Sequence, residues 1–282
     1  MRRLSTIAAQ SSLIALAVAA IVIGGRAWWQ HEPVAQPETV SIQPGRMLYR
    51  LPGEYTRNDQ PADAPEQLLG FQYGLEIMKY QVSGADYTHC VAAKACKQAD
   101  GGRGSMDRPV TGVDHQDAMD YASWLSRQTG ERWRLPTDAE WTFAAAERFT
   151  EKPLGLNEDG SNPAARWLER YRRESANAVP DPEPKPQGFF GMNSKGVADV
   201  SGNVWDWTST CYVRAAIDKP GQAVENCGVR VAAGKHRAYM SFFIRDGKSG
   251  GCAAGMAPHN LGIRLVHEKP SFLIRLISLF VV

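Results

Sequence analysis

Hydrophobic positions change their spacing several times along the chain. From Leu13 to Gly25 they run almost unbroken (LIALAVAAIVIGG), behind Arg2 and Arg3 and ahead of Arg26, Trp28 and Trp29. That pattern predicts an export signal with its positive end held in the cytoplasm and the remainder exported. Ala17-Val18-Ala19 lies inside the run, which favours an uncleaved inner-membrane anchor over a cleaved signal. Gln30 to Gln43 is rich in Pro, Gln and Glu without periodicity, as suits a spacer, and folded structure is expected from about Ser41. Phe71 to Val82 (FQYGLEIMKYQV) is β-rich and partly alternating, and Gly84 to Ala95 reads as helical. After Asp114, a good N-cap, Ala118, Tyr121, Ala122 and Leu125 repeat at i, i+3, i+4 and i+7 up to a stop at Gly130. Thr137 and Glu140 stand in capping-box register before Trp141, Ala144 and Ala145, so a further helix should start there with those three facing inward.

Further on, the periodicity fades. Asn162 to Gln187 holds a charge-rich helical piece, which predicts a solvated face, followed by PDPEPKP, an extended polyproline course. Beyond Gly188, Gly, Ser and Asn predict short strands joined by long ordered loops, with no internal repeat. The apolar tail SFLIRLISLFVV, Ser271 to Val282, is too short to span a bilayer and is left as a docking strand, an interfacial helix or a disordered end.

Charge and cysteines narrow the picture. The 32 basic and 30 acidic residues nearly cancel, and there is no Walker loop, GxGxxG or Cys/His finger, so nucleic acid is not an expected partner. Of five cysteines, Cys90 and Cys96 close a small loop, and Cys211 and Cys227 bracket a polar insertion. Both pairs read as disulfides in an oxidising compartment such as the periplasm. Cys252 is left over, either free or in place of Cys211 as the partner of Cys227.

Three blocks then occur in order: RLPTDAEWTFAA (134–145), GMNSKGVADVSGNVWDWT (191–208) and NLGIRLV (260–266). With EIMKYQVSGADYTHCV and RPVTGVDHQDAMDYASWL they resemble the formylglycine-generating enzyme, or sulfatase-modifying-factor, family over roughly Ser41 to His267. The resemblance implies an α+β fold related to the C-type lectins, with little regular secondary structure. It divides the chain into a signal or anchor (1–29), a linker (30–40), the family domain (41–267) and the apolar tail (268–282). It also implies calcium at Asp199, Gly202, Val204 and Asp206, and a second calcium beginning at Asn177 and Ala178, whose remaining ligand loop is shortened. Independently, an extended Gly202 to Asp206 would align two carbonyls with the Asp206 carboxylate, a set of hard oxygen donors that suits calcium.

Formylglycine chemistry needs copper on two thiolates, soft ligands for a soft ion. On the matching strand, within RVAAGKHRAYMSFFIRDGKSGGC, Ala238 and Phe243 stand at the two cysteine positions, and no cysteine lies between Gly228 and Gly251. The resemblance therefore implies a member without formylglycine activity, and the six histidines form no HxxxH or HxH cluster to hold copper or iron instead. The same strand, through Lys235, His236, Arg237, Tyr239, Phe242 and Arg245, offers with Trp205 a groove for a peptide or protein partner. The expected function is that of a monomeric accessory or maturation factor. The CxxxxxC loop, the GxRVAxGxHR strand and the RDxxSGGC segment are similar to the NirV-like proteins found with copper nitrite reductases in denitrifying bacteria. The other expectation is a periplasmic oxidoreductase acting on a peptide, as in pyoverdine maturation, with His236, Asp246 or Cys252 as its catalytic candidates. On the bland expectation, Tyr239, Phe242 and Phe243 only fill the space of the absent cysteines.

Overall fold

The computed structural model describes residues 34–100, 106–149, 183–246 and 260–268. The N-terminal apolar run, the charge-rich stretch up to residue 182, Asn177, Ala178, Cys252 and the C-terminal tail lie outside them. Helices and strands are mixed, as an α+β fold requires, and the strands form three sheets. Strands β1 (Thr39–Ile42), β6 (Leu75–Met78), β12 (Val266–Glu268) and β7 (Arg132–Arg134) make the first, in that spatial order. The second runs β10 (Arg237–Ser241), β9 (Val224–Ala233), β8 (Trp205–Ala216), β3 (Glu54–Arg57), β4 (Gln60–Ala62), with β11 (Leu261–Gly262) beside β8. A separate ribbon pairs β2 (Gly45–Arg50) with β5 (Glu66–Phe71).

Three helices carry the local signals expected of them. Helix α1 (Gly84–Ala92) has a capping box from Ser83 and Asp86. Helix α2 (His115–Thr129) is capped by Asp114 and Asp117 and ends on Gly130 at φ 71°, where a left-handed residue closes the last turn. Its face of Ala118, Tyr121, Ala122 and Leu125 is buried. Helix α3 (Asp138–Ala145) starts from the Thr137–Glu140 box. Trp141, Ala144 and Ala145 enter the core with Ile77, Val200 and Val266, joining α3 to the first sheet.

Two elements differ from expectation. Phe71 to Val82 is not one strand: Phe71 ends β5, a turn follows through Gly74 at φ 70°, and only Leu75–Met78 is extended again. Beyond Gly188, β8 and β9 have 12 and 10 residues, longer than the expected short strands. Cross-strand pairing set their length. WDWTSTCYVRAA and VENCGVRVAA contain no helical period; they pair with each other along most of their length, and β10, β3 and β11 complete their hydrogen bonding.

Candidate functional site

The GNVWDW block folds as a turn feeding the central strand. Asp199 and Ser201 both have left-handed backbone, φ 57° and 61°, and regular extension begins only at Trp205. The expected extended course from Gly202 is thus corrected: the chain bends tightly at Asp199 to Gly202, and the Gly202 N–H donates to the Asp199 carbonyl at 3.4 Å.

The two carboxylates of the block have different surroundings. Asp206 is buried at the start of β8, and its Oδ2 accepts from the Trp141 indole at 2.8 Å and from Arg264 at 3.1 Å. Arg264 also donates to the carbonyls of Met78, Lys79 and Ala198, tying β6 to the turn. Asp206 Oδ1 is buried with no hydrogen-bond partner. Asp199 is equally buried but accepts only from the main-chain N–H groups of Gly188 (2.5 Å) and Phe190 (2.9 Å), with no basic side chain in ion-pair range among the described residues. Above them Gln81 donates to the Val204 carbonyl at 3.2 Å, and its own Oε1 is buried without a partner. The Asp199 carboxylate, without a basic partner among the described residues, and the partnerless Asp206 Oδ1 are hard oxygen donors of the type that calcium takes. Asp199, Gly202, Val204 and Asp206 would hold it. Asn177 and Ala178, expected at a second calcium, lie outside the described residues.

The basic aromatic strand is divided by burial. Gly234, Lys235 and His236 form the turn between β9 and β10, and Arg237 pairs with Ala233 to start β10. Ala238 is 0% exposed opposite Ala232. Phe243, at the other expected thiolate position, is 62% exposed beyond the strand's end. Neither Phe242 nor Phe243 fills a cysteine-sized space in the core; the two rings meet edge to face at 5.6 Å on the surface.

Arg237 is removed from the expected groove by burial, and two further expected groove residues have partners elsewhere in the fold. Arg237 is buried against Asp138, Nη2 to Oδ2 2.7 Å, and Tyr49 donates to the same carboxylate at 2.6 Å. Burial opposes the Arg237 charge, but Asp138 still holds its pKa above the ordinary value. Tyr239 accepts from the Gly53 N–H at 2.7 Å and lies edge-on to Tyr212, and burial pushes its hydroxyl up to about 12. Arg245 binds Asp117 (2.5 Å), Asp100 (2.9 Å) and Asp114 (3.5 Å), locking the start of α2. These cations were engaged by carboxylates distant in sequence, which strand alternation alone could not reveal.

Trp205 and His236 do come together, with ring centroids 4.5 Å apart in an edge arrangement. A Cβ at Gly234 would meet the Trp205 indole at 2.3 Å, so the turn depends on glycine there. Ser201 donates to the Gly234 carbonyl at 3.0 Å, which fastens this turn to the Asp199 turn. Lys235 is exposed beside them. The Phe242–Phe243 pair lies past the far end of β10, five residues or about 16 Å away. Asp246 is exposed near that end and makes no described contact with His236. A separate cavity of about 710 Å³ on the first sheet, lined by Arg134, Glu140, His267 and Glu268 among others, includes none of the expected groove residues.

Both expected disulfides are present, Cys90–Cys96 and Cys211–Cys227, with Cα separations of 5.3 and 4.5 Å. Every described cysteine is thus paired. The Sulfatase-modifying factor enzyme 1-like domain matches residues 27–269 of the chain.

The chain belongs to that family.

Among its relatives, the formylglycine-generating enzyme of Mycobacterium tuberculosis is 36% identical over 124 residues, 41% of this chain and 38% of that enzyme. The inactive C-alpha-formylglycine-generating enzyme 2 of Mus musculus is 31% identical over 129 residues, 41% and 36% of the two chains. The matched stretches therefore span well under half the length of these relatives. The solved structure of PvdO from Pseudomonas aeruginosa superposes with TM-score 0.54 at 22% identity, over 83% of this chain and 95% of that one, a likeness of fold. In this family frame, the residues missed by sequence reasoning are Asp138, Tyr49, Arg264 and Gln81. Only burial of a charge beside its partner reveals them, although the Arg in NLGIRLV was a visible signal, since a cation inside an apolar block needs a carboxylate.

Proposed function

We propose that this family member is an exported accessory factor that binds a peptide or protein partner and does not generate formylglycine. The observation that carries this is that the two expected thiolate positions hold Ala238, buried on β10, and Phe243, exposed beyond its end. All four described cysteines are already in disulfides, leaving copper no thiolate pair among the described residues. A relative named as inactive supports the loss of chemistry with retention of the family domain.

Calcium at Asp199, Gly202, Val204 and Asp206 would supply positive charge to the turn preceding β8. Its role is positional: the same turn carries Trp205 and is joined through Ser201 to the Gly234–His236 turn. Trp205, His236 and Lys235 then form the partner-binding edge, an aromatic surface beside a cation. The partner class favoured is an exported copper protein of the nitrite reductase type, with the N-terminal segment holding the factor at the inner membrane.

Metal analysis of the purified chain with a thiol count tests the core of this reading. About one equivalent of calcium and at most one free thiol per chain is expected. Stoichiometric copper or iron would overturn it. For the partner, titration of a copper nitrite reductase against the wild-type and Trp205→Ala chains should show binding that the substitution weakens at least tenfold, about 1.4 kcal/mol; no binding by the wild type rejects the nitrite-reductase assignment.

A further inference from the structure

The two disulfides have unequal surroundings. Cys90 is fully buried and Cys96 nearly so, and the pair closes the end of α1. Cys211 is 7% exposed on β8, whereas Cys227 is at the surface of β9. The β8–β9 register explains this. Cys211 is opposite Arg230 and Tyr212 opposite Asn226, so Cys227, Gly228 and Val229 form a bulge facing the break between two adjacent β8 residues. A bulge re-aims side chains and interrupts pairing, and here it brings Cys227 outward while its sulfur remains bonded to an inward one.

Arg230 occupies the opposite side of that break. Its Nη1 donates to the Ser209 carbonyl at 2.6 Å and to Cys211 Sγ at 3.0 Å. Its Nε is buried without a partner, and no carboxylate lies in ion-pair range of it among the described residues. The charge is felt locally: after burial, Arg230 is the next cause holding the His115 imidazole down to about 4. A disulfide sulfur is only a weak acceptor, so in the closed form this guanidinium lacks an anion. Opening the bond would create one, a thiolate at Cys211, in direct contact with the cation.

We propose that Cys211–Cys227 is a thiol–disulfide exchange site whose substrate class is the thiol of an exported peptide or protein. A substrate thiolate attacks the exposed Cys227 Sγ and forms a mixed disulfide. The Cys211–Cys227 bond breaks, and its electron pair stays on Cys211 Sγ against Arg230. A second substrate thiolate then attacks the substrate sulfur of the mixed disulfide and releases Cys227. Two substrate thiols become one disulfide, and the protein gains two thiols; a disulfide-bearing partner reverses the same steps. Glu225 is exposed and has a carboxylate oxygen within 4.8 Å of both sulfurs. Its negative charge beside the sulfurs disfavours anionic thiols, while water screens it more than the part-buried Arg230.

The test uses the folded full chain carrying Cys252→Ser, exposed to cysteamine and to glutathione, with differential alkylation and mass spectrometry to follow each pair separately. Cys211–Cys227 should open at least about tenfold faster than Cys90–Cys96, and faster with cationic cysteamine than with anionic glutathione at equal thiolate. Arg230→Gln should slow opening of the first pair by about tenfold and leave the second unchanged, while Arg230→Lys retains most of the rate. Joint opening of both pairs at the global unfolding rate would overturn the proposal, as would an unchanged rate in folded Arg230→Gln. If Arg230→Gln does not fold, the wild-type rate ratio and the Arg230→Lys variant decide.

Discussion

Asp138 and Asp199 are both buried carboxylates next to positions that pattern alone marks as turns or helix starts, yet the protein treats their charges in opposite ways. Asp138, at the first position of α3, receives Arg237 from β10 and the Tyr49 hydroxyl from the ribbon. Asp199 receives two main-chain N–H groups and, among the described residues, no cation. Where the chain supplies its own counter-charge, the carboxylate closes a core. Where it does not, the carboxylate depends on main-chain N–H groups, and the proposed calcium would supply the counter-charge. Desolvation makes the distinction sharp, because a buried charge without a partner costs several kcal/mol whereas a coordinated one does not.

Breaking the internal pair should have the largest effect. Arg237→Ala leaves Asp138 uncompensated and should cost about 3–5 kcal/mol in chemical unfolding, with or without calcium. Next is calcium itself: at one hundred times its dissociation constant it should stabilise the wild type by about 2.7 kcal/mol, and Asp199→Asn should abolish that increment. An equal calcium increment in both proteins would show that Asp199 is not a ligand. A smaller change comes from Thr137→Ala, which removes the cap ahead of Asp138 and should cost about 1 kcal/mol while leaving the calcium response intact.

The smallest difference between the two regions is expected in acid. His115, on neither carboxylate, has its imidazole pushed down to about 4 by burial, so the unfolded chain takes up a proton first as pH falls below about 6.5. Stability present above that pH is lost progressively down to about 4, and His115→Gln should flatten this window to the same extent with and without calcium. A slope in the unfolding profile that survives His115→Gln would assign the acid sensitivity elsewhere.

Local signals were legible in the sequence because each needs only a few neighbouring residues. The caps at Asp114 and Thr137, the stop at Gly130, the inward faces of α2 and α3 and the two cysteine loops all close within about twenty residues. The surroundings of the expected groove residues were not legible. Trp205 and His236 are in ring contact, but Arg237 and Arg245 belong to carboxylates more than ninety residues away in the chain. Alternation on a strand assigns a face, and what covers that face comes from elsewhere in the molecule.

From its own residues, then, the chain specified its helix limits, its two disulfide loops and its family. Tertiary structure decided the fate of its charges. It buried Arg237 and Arg264 against carboxylates, gave Asp199 main-chain N–H groups in place of a cation among the described residues, and set Arg230 on the buried sulfur of a disulfide whose other cysteine is exposed. The physical reason is range. Capping and side-chain periodicity act over a few residues, whereas the cost of a charge depends on everything within several ångströms of it, and only the folded chain brings those groups together.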